Sequence, residues 1–394
     1  MSAPLLFLGH AADRTGPPIY LLHFLRWLRS HQPGVDFEIA LLAGGELEQD
    51  FGDLAPTTVY QGLPPTEWDD VEREFLLDNL DVADRWWAAR REHQLRRQMH
   101  EHAGARVVYV NGAPAAELAR MLPPADRVVL SHVHELEIGL THRSDPRDRQ
   151  LLLEGAQRIF VVADAVGRTL TDRYGIDPAV ISRHPGTVDV PAIDGARPSA
   201  DRADERLAKG LPAEGPVVGS CGTVEWRKGV DLFLRLASML SLEERPEPVT
   251  FVWVGGGDEA TARASEQARL LGVEDAVRFV GVQAVPLDWF RLMDVFVLPA
   301  REDPFPLVCL EALAVGCPVV AFDTGGIPEL LDRGCGFTVP YPDVHQLATK
   351  VGELLEDGDL RLSMGERGRE LVRAEHDVSV LAPRLWAEIE PWLR

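Results

Sequence analysis

Short β-rich runs alternate with helical stretches from one end of the chain to the other, the pattern of parallel α/β sheets. In the first half, strands are expected near Leu5–Leu8, Phe37–Leu42, Val107–Val110, Val128–Leu130 and Ile159–Val162. In the second half they are expected near Pro216–Ser220, Val249–Val254, Val277–Val280, Val295–Leu298 and Pro318–Phe322. Each half holds enough βα units for a doubly wound sheet of its own. Proline and glycine interrupt the pattern at Pro191-Ala192-Ile193-Asp194-Gly195-Ala196-Arg197-Pro198, and a polar stretch runs on to Pro212. That segment is the expected linker. The expected organisation is a Rossmann-like domain over 1–190, a linker over 191–212, a second Rossmann-like domain over 213–374 and a terminal helical segment over 375–394. Ligands of such sheets bind beyond the C-terminal ends of the strands, so two of them would face a shared cleft.

At 394 residues, two domains suit the length better than one core. A formal net charge of −22 argues against a nucleic-acid partner, which needs clustered Lys and Arg. It also opposes adhesion of the whole protein to an anionic membrane. No apolar run approaches the roughly 20 residues that span a bilayer, and Leu5-Leu6-Phe7-Leu8 lacks the basic start of a signal peptide. Cys221, Cys309, Cys317 and Cys335 follow neither CxxC nor metal-ligand spacing and fall on core elements. Reduced thiols in a cytoplasmic protein are expected.

Function is written most densely between Arg301 and Leu331. Asp303 and Glu311 bracket an apolar run, Pro318–Phe322 reads as a buried strand, and Thr324-Gly325-Gly326-Ile327-Pro328 reads as a glycine turn into a helix. Free backbone N–H groups at a helix N-terminus bind anions well. Carboxylates beside an anion site suit a ligand with hydroxyls on one side and phosphate on the other, which describes a nucleotide sugar. Arg227 and Lys228 precede a helix expected to begin at Gly229, where cations oppose the macrodipole. A diphosphate lying there would account for them. Asp303 before Pro304 also reads as a helix cap, and Gly-Gly alone can be a plain turn. His132 and His134 share a face of one strand, which permits zinc, but a third ligand is not evident and no metal is expected.

Residues 62–105 are the least regular part. Trp68, Trp86 and Trp87 sit among acidic and then basic residues, and from Arg85 to Arg106 six Arg stand against Glu92 and Glu101, a net +4. The stretch reads as a solvated helix packing its Trp and Leu face on the first sheet, or as a basic amphipathic helix near an acceptor or a membrane surface. Membrane contact is at most peripheral.

The Arg301–Leu331 block resembles the C-terminal signature of the family 4 glycosyltransferases, retaining enzymes in which Glu-x7-Glu precedes Gly-x-Pro-Val-Val-Ala. Here the spacing is kept, with Asp303, preceded by Glu302, in the first position. Similar to the family too are Cys221-Gly222-Thr223-Val224-Glu225-Trp226-Arg227-Lys228-Gly229-Val230-Asp231 and Phe279-Val280-Gly281-Val282. So are His184-Pro185-Gly186-Thr187-Val188-Asp189, Val133-His134-Glu135 and Arg14-Thr15-Gly16-Pro17-Pro18. One departure is Thr223, where the family usually has Arg directly after the glycine.

The resemblance implies the GT-B fold: two Rossmann-like domains facing across a cleft, the first on the acceptor side and the second binding the nucleotide sugar. The terminal helix would pack back on the first domain. It also implies roles for individual residues. Glu311 would bind the ribose hydroxyls, and Asp303 or Glu302 the donor sugar. Lys228 with Arg227 would clamp the diphosphate, and the backbone of Gly325, Gly326 and Ile327 would meet the β-phosphate and sugar. Val282 is a further donor-binding residue and Gly16 the matching turn in the first domain. His134 would stand near the reacting centre, with Glu135 beside it positioning the acceptor.

The implied activity is metal-independent transfer of a hexose-type sugar from a UDP- or GDP-sugar to an acceptor hydroxyl on a sugar, lipid-linked glycan or small molecule. Attack on the same face retains the anomeric configuration, the leaving diphosphate draws the acceptor proton, and no cofactor is required. Two alternatives stay open: a nucleotide-sugar epimerase of the same fold, and a non-catalytic nucleotide-sugar-binding protein, toward which Asp303 and Thr223 would point.

Overall fold

The computed structural model describes residues 4–60, 80–195 and 201–394, with the side chains of 80–88 excepted. Trp68, the side chains of Trp86 and Trp87, and linker residues 196–200 therefore lie outside the described residues. The chain divides into two compact units. One comprises the residues up to Val162, Gly167–His184 and Ala382–Arg394; the other comprises Ala163–Val166 and Pro185–Leu381.

The first unit is built on seven parallel strands: β1 (Leu5–Gly9), β2 (Phe37–Leu41), β3 (Thr57–Val59), β4 (Val107–Asn111), β5 (Val128–Val133), β6 (Arg158–Val161) and β7 (Ile181–Arg183). Their order is β3-β2-β1-β4-β5-β6-β7. Central strands β1 and β4 are buried along their whole length, the unbroken apolar run of a sheet covered on both faces. The helix Gly16–His31 starts on two prolines, whose fixed φ suits a first turn. It buries Tyr20, Leu21, Phe24, Leu25 and Leu28, and Phe24 meets Phe7 of β1 edge-on. At the chain end, Glu388 accepts hydrogen bonds from Arg158 at 2.8 Å and from Ser182 at 2.6 Å, and lies 2.9 Å from His184 Nε2. These contacts tie the terminal segment to β6 and β7.

The second unit has six parallel strands: β8 (Val217–Cys221), β9 (Thr250–Val254), β10 (Val277–Phe279), β11 (Val295–Leu298), β12 (Val319–Phe322) and β13 (Gly336–Val339), in the order β10-β9-β8-β11-β12-β13. The amphipathic helix Val230–Ser241 seats Phe233 edge-on against Phe251 and Trp253 of β9. All four cysteines are free and buried.

The strand order of each sheet reverses once, between β1 and β4 and between β8 and β11. Loops leaving such a pair of strands diverge and open a crevice at their C-terminal ends. Strands β3, β7 and β13, of three, three and four residues, are additions to the sequence-based expectation. The expected linker is largely structured: Val190–Gly195 and Arg202–Ala208 are helical. The first is held by Arg291, which donates to the Ile193 carbonyl at 2.7 Å, and the second by Arg206, whose buried guanidinium donates to the Leu292 carbonyl and to Asp294, each at 2.8 Å. Among the described residues, no helix is long and apolar enough to cross a membrane.

Candidate functional site

The crevice at the β8/β11 switch point collects the charged residues singled out in the sequence. After β8 the chain passes Gly222, turns through Trp226–Lys228 and enters its helix from Gly229 in the left-handed region (φ 74°). A Cβ on Gly222 would lie 3.4 Å from Lys228 Cδ, so the lysine stem runs across that glycine. From the loop after β11, Asp303 meets it: Lys228 Nζ donates to Asp303 Oδ2 at 2.7 Å. Arg227 Nη1 lies 3.9 Å from the same oxygen while donating to the Glu302 carbonyl at 3.0 Å. Its other nitrogen donates to Glu225 at 2.9 Å. Arg301 fastens the two loops together. Its N–H donates to the Arg227 carbonyl at 2.8 Å, and its guanidinium grips Asp231 through two bonds of 2.8 and 2.7 Å. Asp303 is only 5% exposed. A carboxylate so buried requires a cation, which explains why two cations stand against the macrodipole here.

Asp303 is not a helix cap. The helix Leu307–Ala314 starts later, with Pro306 at the N-cap position and no side-chain cap. Buried Phe305, between Pro304 and Pro306, anchors the loop against the His376 ring at 5.5 Å. Glu311 lies partly buried on that helix, and its charge acts on two nearby thiols. Burial pushes the Cys221 thiol up to about 12, with Glu311 adding to the rise and Lys228 opposing it. Burial also raises Cys309 well above the ordinary thiol range, with Asp303 and Glu311 adding and Lys228 opposing. The charges of Lys228, Asp303 and Glu311 are thus all felt at Cys309. Glu302 is less buried than Asp303.

The glycine turn after β12 differs from expectation. Gly326 N–H donates to the Pro304 carbonyl at 3.0 Å and Ile327 N–H to the Thr324 carbonyl at 3.3 Å, so neither is free for an anion. The first of these bonds holds the Asp303 loop against the turn, and a Cβ on Gly326 would press to 2.7 Å from that of Ala163. Gly325 N–H, in a left-handed residue (φ 58°), has no protein acceptor among the described residues. Val282 follows edge strand β10 and is 65% exposed; the described contacts do not link it to Lys228 or Asp303.

In the first unit the β1/β4 crevice has its own set. Gly16 opens the helix Gly16–His31, and Asp13 accepts from the Thr15 N–H before it at 3.0 Å. Asn111, the last residue of β4, donates from Nδ2 to the Pro17 carbonyl at 2.9 Å, and its Oδ1 lies 2.8 Å from His134 Nε2. The His134 ring stacks on His132, with centroids 4.3 Å apart, and meets Tyr20 edge-on. Burial, helped by nearby His10, lowers the His134 imidazole to about 3, so it is neutral near neutral pH. Glu135 is buried and accepts from the Ala113 and His134 N–H groups at 3.0 Å each. Burial nonetheless raises its carboxyl to about 7. His132 Nδ1 lies 2.6 Å from the Tyr109 hydroxyl, and the described residues contain no group of three His, Cys, Asp or Glu able to hold a metal. Sequence reasoning missed His10 and Asn111. Each lies at the end of a strand flanking the switch point, the signal by which a strand map with its order would have found them.

Residues 215–357 match the family model described as Glycosyl transferases group 1. The chain is 32% identical over 226 residues to the D-inositol 3-phosphate glycosyltransferase of Corynebacterium jeikeium, covering 55% of this chain and 53% of that one. It is 34% identical over 234 residues to the enzyme of the same name from Mycobacterium tuberculosis, covering 57% and 45%. The chain thus spans about half the length of the curated relatives it matches. In fold it is similar to Anabaena HepE solved with UDP and glucose, with a TM-score of 0.77, 18% identity, and 98% and 99% of the two chains covered. Sucrose-phosphate synthase of Thermosynechococcus elongatus gives a TM-score of 0.74 at 19% identity, with 98% of each chain covered. The fold is GT-B, two Rossmann-like parallel-sheet domains.

Proposed function

We propose that the chain is a metal-independent, retaining glycosyltransferase that moves a hexose-type sugar from a UDP-sugar to an acceptor hydroxyl. The observation that carries this is the ion pair between part-buried Lys228 and buried Asp303, with Glu311 on the helix that follows, at the switch point of the sheet that matches the group 1 model. Lys228 and Arg227 take the diphosphate and stabilise the charge that grows on it as the glycosidic bond breaks. Asp303 and Glu302 hold donor-sugar hydroxyls, Glu311 accepts from the ribose hydroxyls, and Gly325 N–H meets a phosphate oxygen. UDP is favoured over GDP because Anabaena HepE was solved with UDP. His134 and Gly16 act from the first domain. Acceptors to test include a phosphorylated polyol, by the names of the curated relatives, along with glycans and lipid-linked sugars.

A retaining hydrolase places two carboxylates about 5–5.5 Å apart and uses one as nucleophile. Asp303 is already engaged by Lys228, which makes it a poor nucleophile and favours same-face attack with the leaving diphosphate drawing the acceptor proton. The test is proton NMR of the enzyme with UDP-, GDP-, ADP- and dTDP-sugars in EDTA, with and without acceptors. Release of UDP with the product's anomeric configuration matching the donor supports the reading. Inverted product overturns retention, and a changed sugar still bound to nucleotide identifies an epimerase. Binding without turnover identifies a binding protein.

A further inference from the structure

Asn111 joins two elements through one amide. Its Nδ2 faces the Pro17 carbonyl at 2.9 Å, and a carbonyl only accepts, so the NH2 group must point that way. The amide oxygen then faces His134 Nε2 at 2.8 Å, and that oxygen also only accepts. His134 must therefore be the donor in that bond. The ring cannot turn away, because it is stacked on His132 and met edge-on by Tyr20, while its backbone N–H is held by Glu135. Its Nδ1 has no protein partner among the described residues and is not among the fully buried partnerless atoms.

We infer that Asn111 is a positioning residue that fixes His134 with its proton on Nε2, so that His134 meets the substrate through the Nδ1 lone pair. It then selects a group that can donate a hydrogen bond, a sugar or acceptor hydroxyl, over an ether or fluoro group that cannot. The recognition half of this inference rests on the transferase reading; the tautomer half does not. Nδ1 keeps its acceptor role because the ring is neutral. The titratable groups around it are His10 after β1, Tyr20 on the first helix, His132 on β5 and Glu135, with Arg143 acting on His10 and Glu135. Burial dominates at His134, and His10 lowers it further. The neighbouring His10 Nδ1 is itself buried without a protein partner among the described residues.

The experiment uses the full chain labelled with 15N-histidine, the His134 signals being assigned by their loss in His134→Gln. The expected result is a neutral Nε2–H imidazole from about pH 5 to pH 8, the range in which an unperturbed histidine titrates. An Nδ1–H tautomer, or ordinary titration near ~6.5, overturns the inference without involving substrate. In Asn111→Leu the Nε2–H preference should be lost and kcat/KM fall about tenfold, the loss of one buried hydrogen bond. Asn111→Asp should add a limb to the pH profile, because a carboxylate beside Nε2 favours the imidazolium. Deoxyfluoro donors and acceptors should show one position where wild type discriminates and Asn111→Leu does not. Wild-type kinetics and selectivity in both Asn111 variants would refute the recognition half, and the unmutated NMR measurement decides the tautomer even if Asn111→Leu fails to fold.

Discussion

Replacing Lys228 with Met keeps a stem of similar length over Gly222 but removes the ammonium from Asp303. That carboxylate is 5% exposed, and Arg227, at 3.9 Å, is the cation left beside it. Breaking a buried ion pair from one side costs about 3–5 kcal/mol. Arg227 retains part of the attraction, so the lower end, about 3 kcal/mol, is expected. The second unit has about 200 residues, for which each kcal/mol moves the midpoint by roughly 2–4 °C. Scanning calorimetry should therefore record a fall of about 6–12 °C in the transition of that unit. Adding Asp303→Asn to Lys228→Met should recover much of it, because a neutral amide no longer needs a counter-charge. Catalysis should not recover: without the ammonium, kcat should fall about 10²–10³-fold in both the single and the double variant. A Lys228→Met protein melting within about 2 °C of wild type, or a double variant no more stable than the single, would refute the argument that Asp303 is a buried charge held by Lys228.

Glu135 provides a pH test. Burial raises its carboxyl to about 7, so the folded chain holds that proton more tightly than the unfolded chain. The stabilisation is full at low pH and is lost as pH rises from the ordinary carboxylate range through 7, about 3 kcal/mol in all. The difference in unfolding free energy between wild type and Glu135→Gln should shift by that amount between acid and neutral pH; a flat difference refutes it. Glu388 carries the opposite sign. Burial raises it, but bonds from Ser182, His184 and Arg158 outweigh that and lower it. Its contribution is therefore present above the ordinary carboxylate range and lost in acid, and Glu388→Gln should flatten the acid side of the stability profile measured by denaturant titration. Gly326→Ala would force a Cβ to 2.7 Å from that of Ala163, at a cost of about 1–3 kcal/mol. Gly34→Ala, with nothing within 4 Å, is the neutral control in the same urea titration. Transfer rates measured in EDTA and in excess Mg²⁺ should agree, since Lys228 and Arg227 supply the charge a metal would otherwise bring; loss of activity in EDTA contradicts this.

The long central strands were legible because burial on both faces leaves unbroken apolar runs, as at Leu5–Leu8 and Val295–Leu298. Thr57–Val59, Ile181–Arg183 and Gly336–Val339 were not, because three or four residues at a sheet edge carry too little pattern. The charged spot was legible as a list of residues. Its internal pairing was not: Lys228 and Asp303 are 75 positions apart, and their bond depends on a strand order that no local signal encodes. The glycine turn misled for the same reason. Gly326 and Ile327 read as free amides until the Pro304 carbonyl and the Thr324 carbonyl are brought beside them. Asn111 carries no motif at all, and its significance comes from standing at the end of β4, opposite Pro17 and His134.

The most direct test of the account is calorimetric titration of wild type and Glu311→Ala with UDP, GDP, ADP and dTDP in EDTA. UDP should bind wild type with one site per chain, and Glu311→Ala should weaken it at least tenfold, as loss of a charge-assisted contact to the ribose would. Wild type that binds none of the four nucleotides at millimolar concentration, or UDP affinity unchanged in Glu311→Ala, would contradict the claim that the β8/β11 crevice is a nucleotide-sugar site.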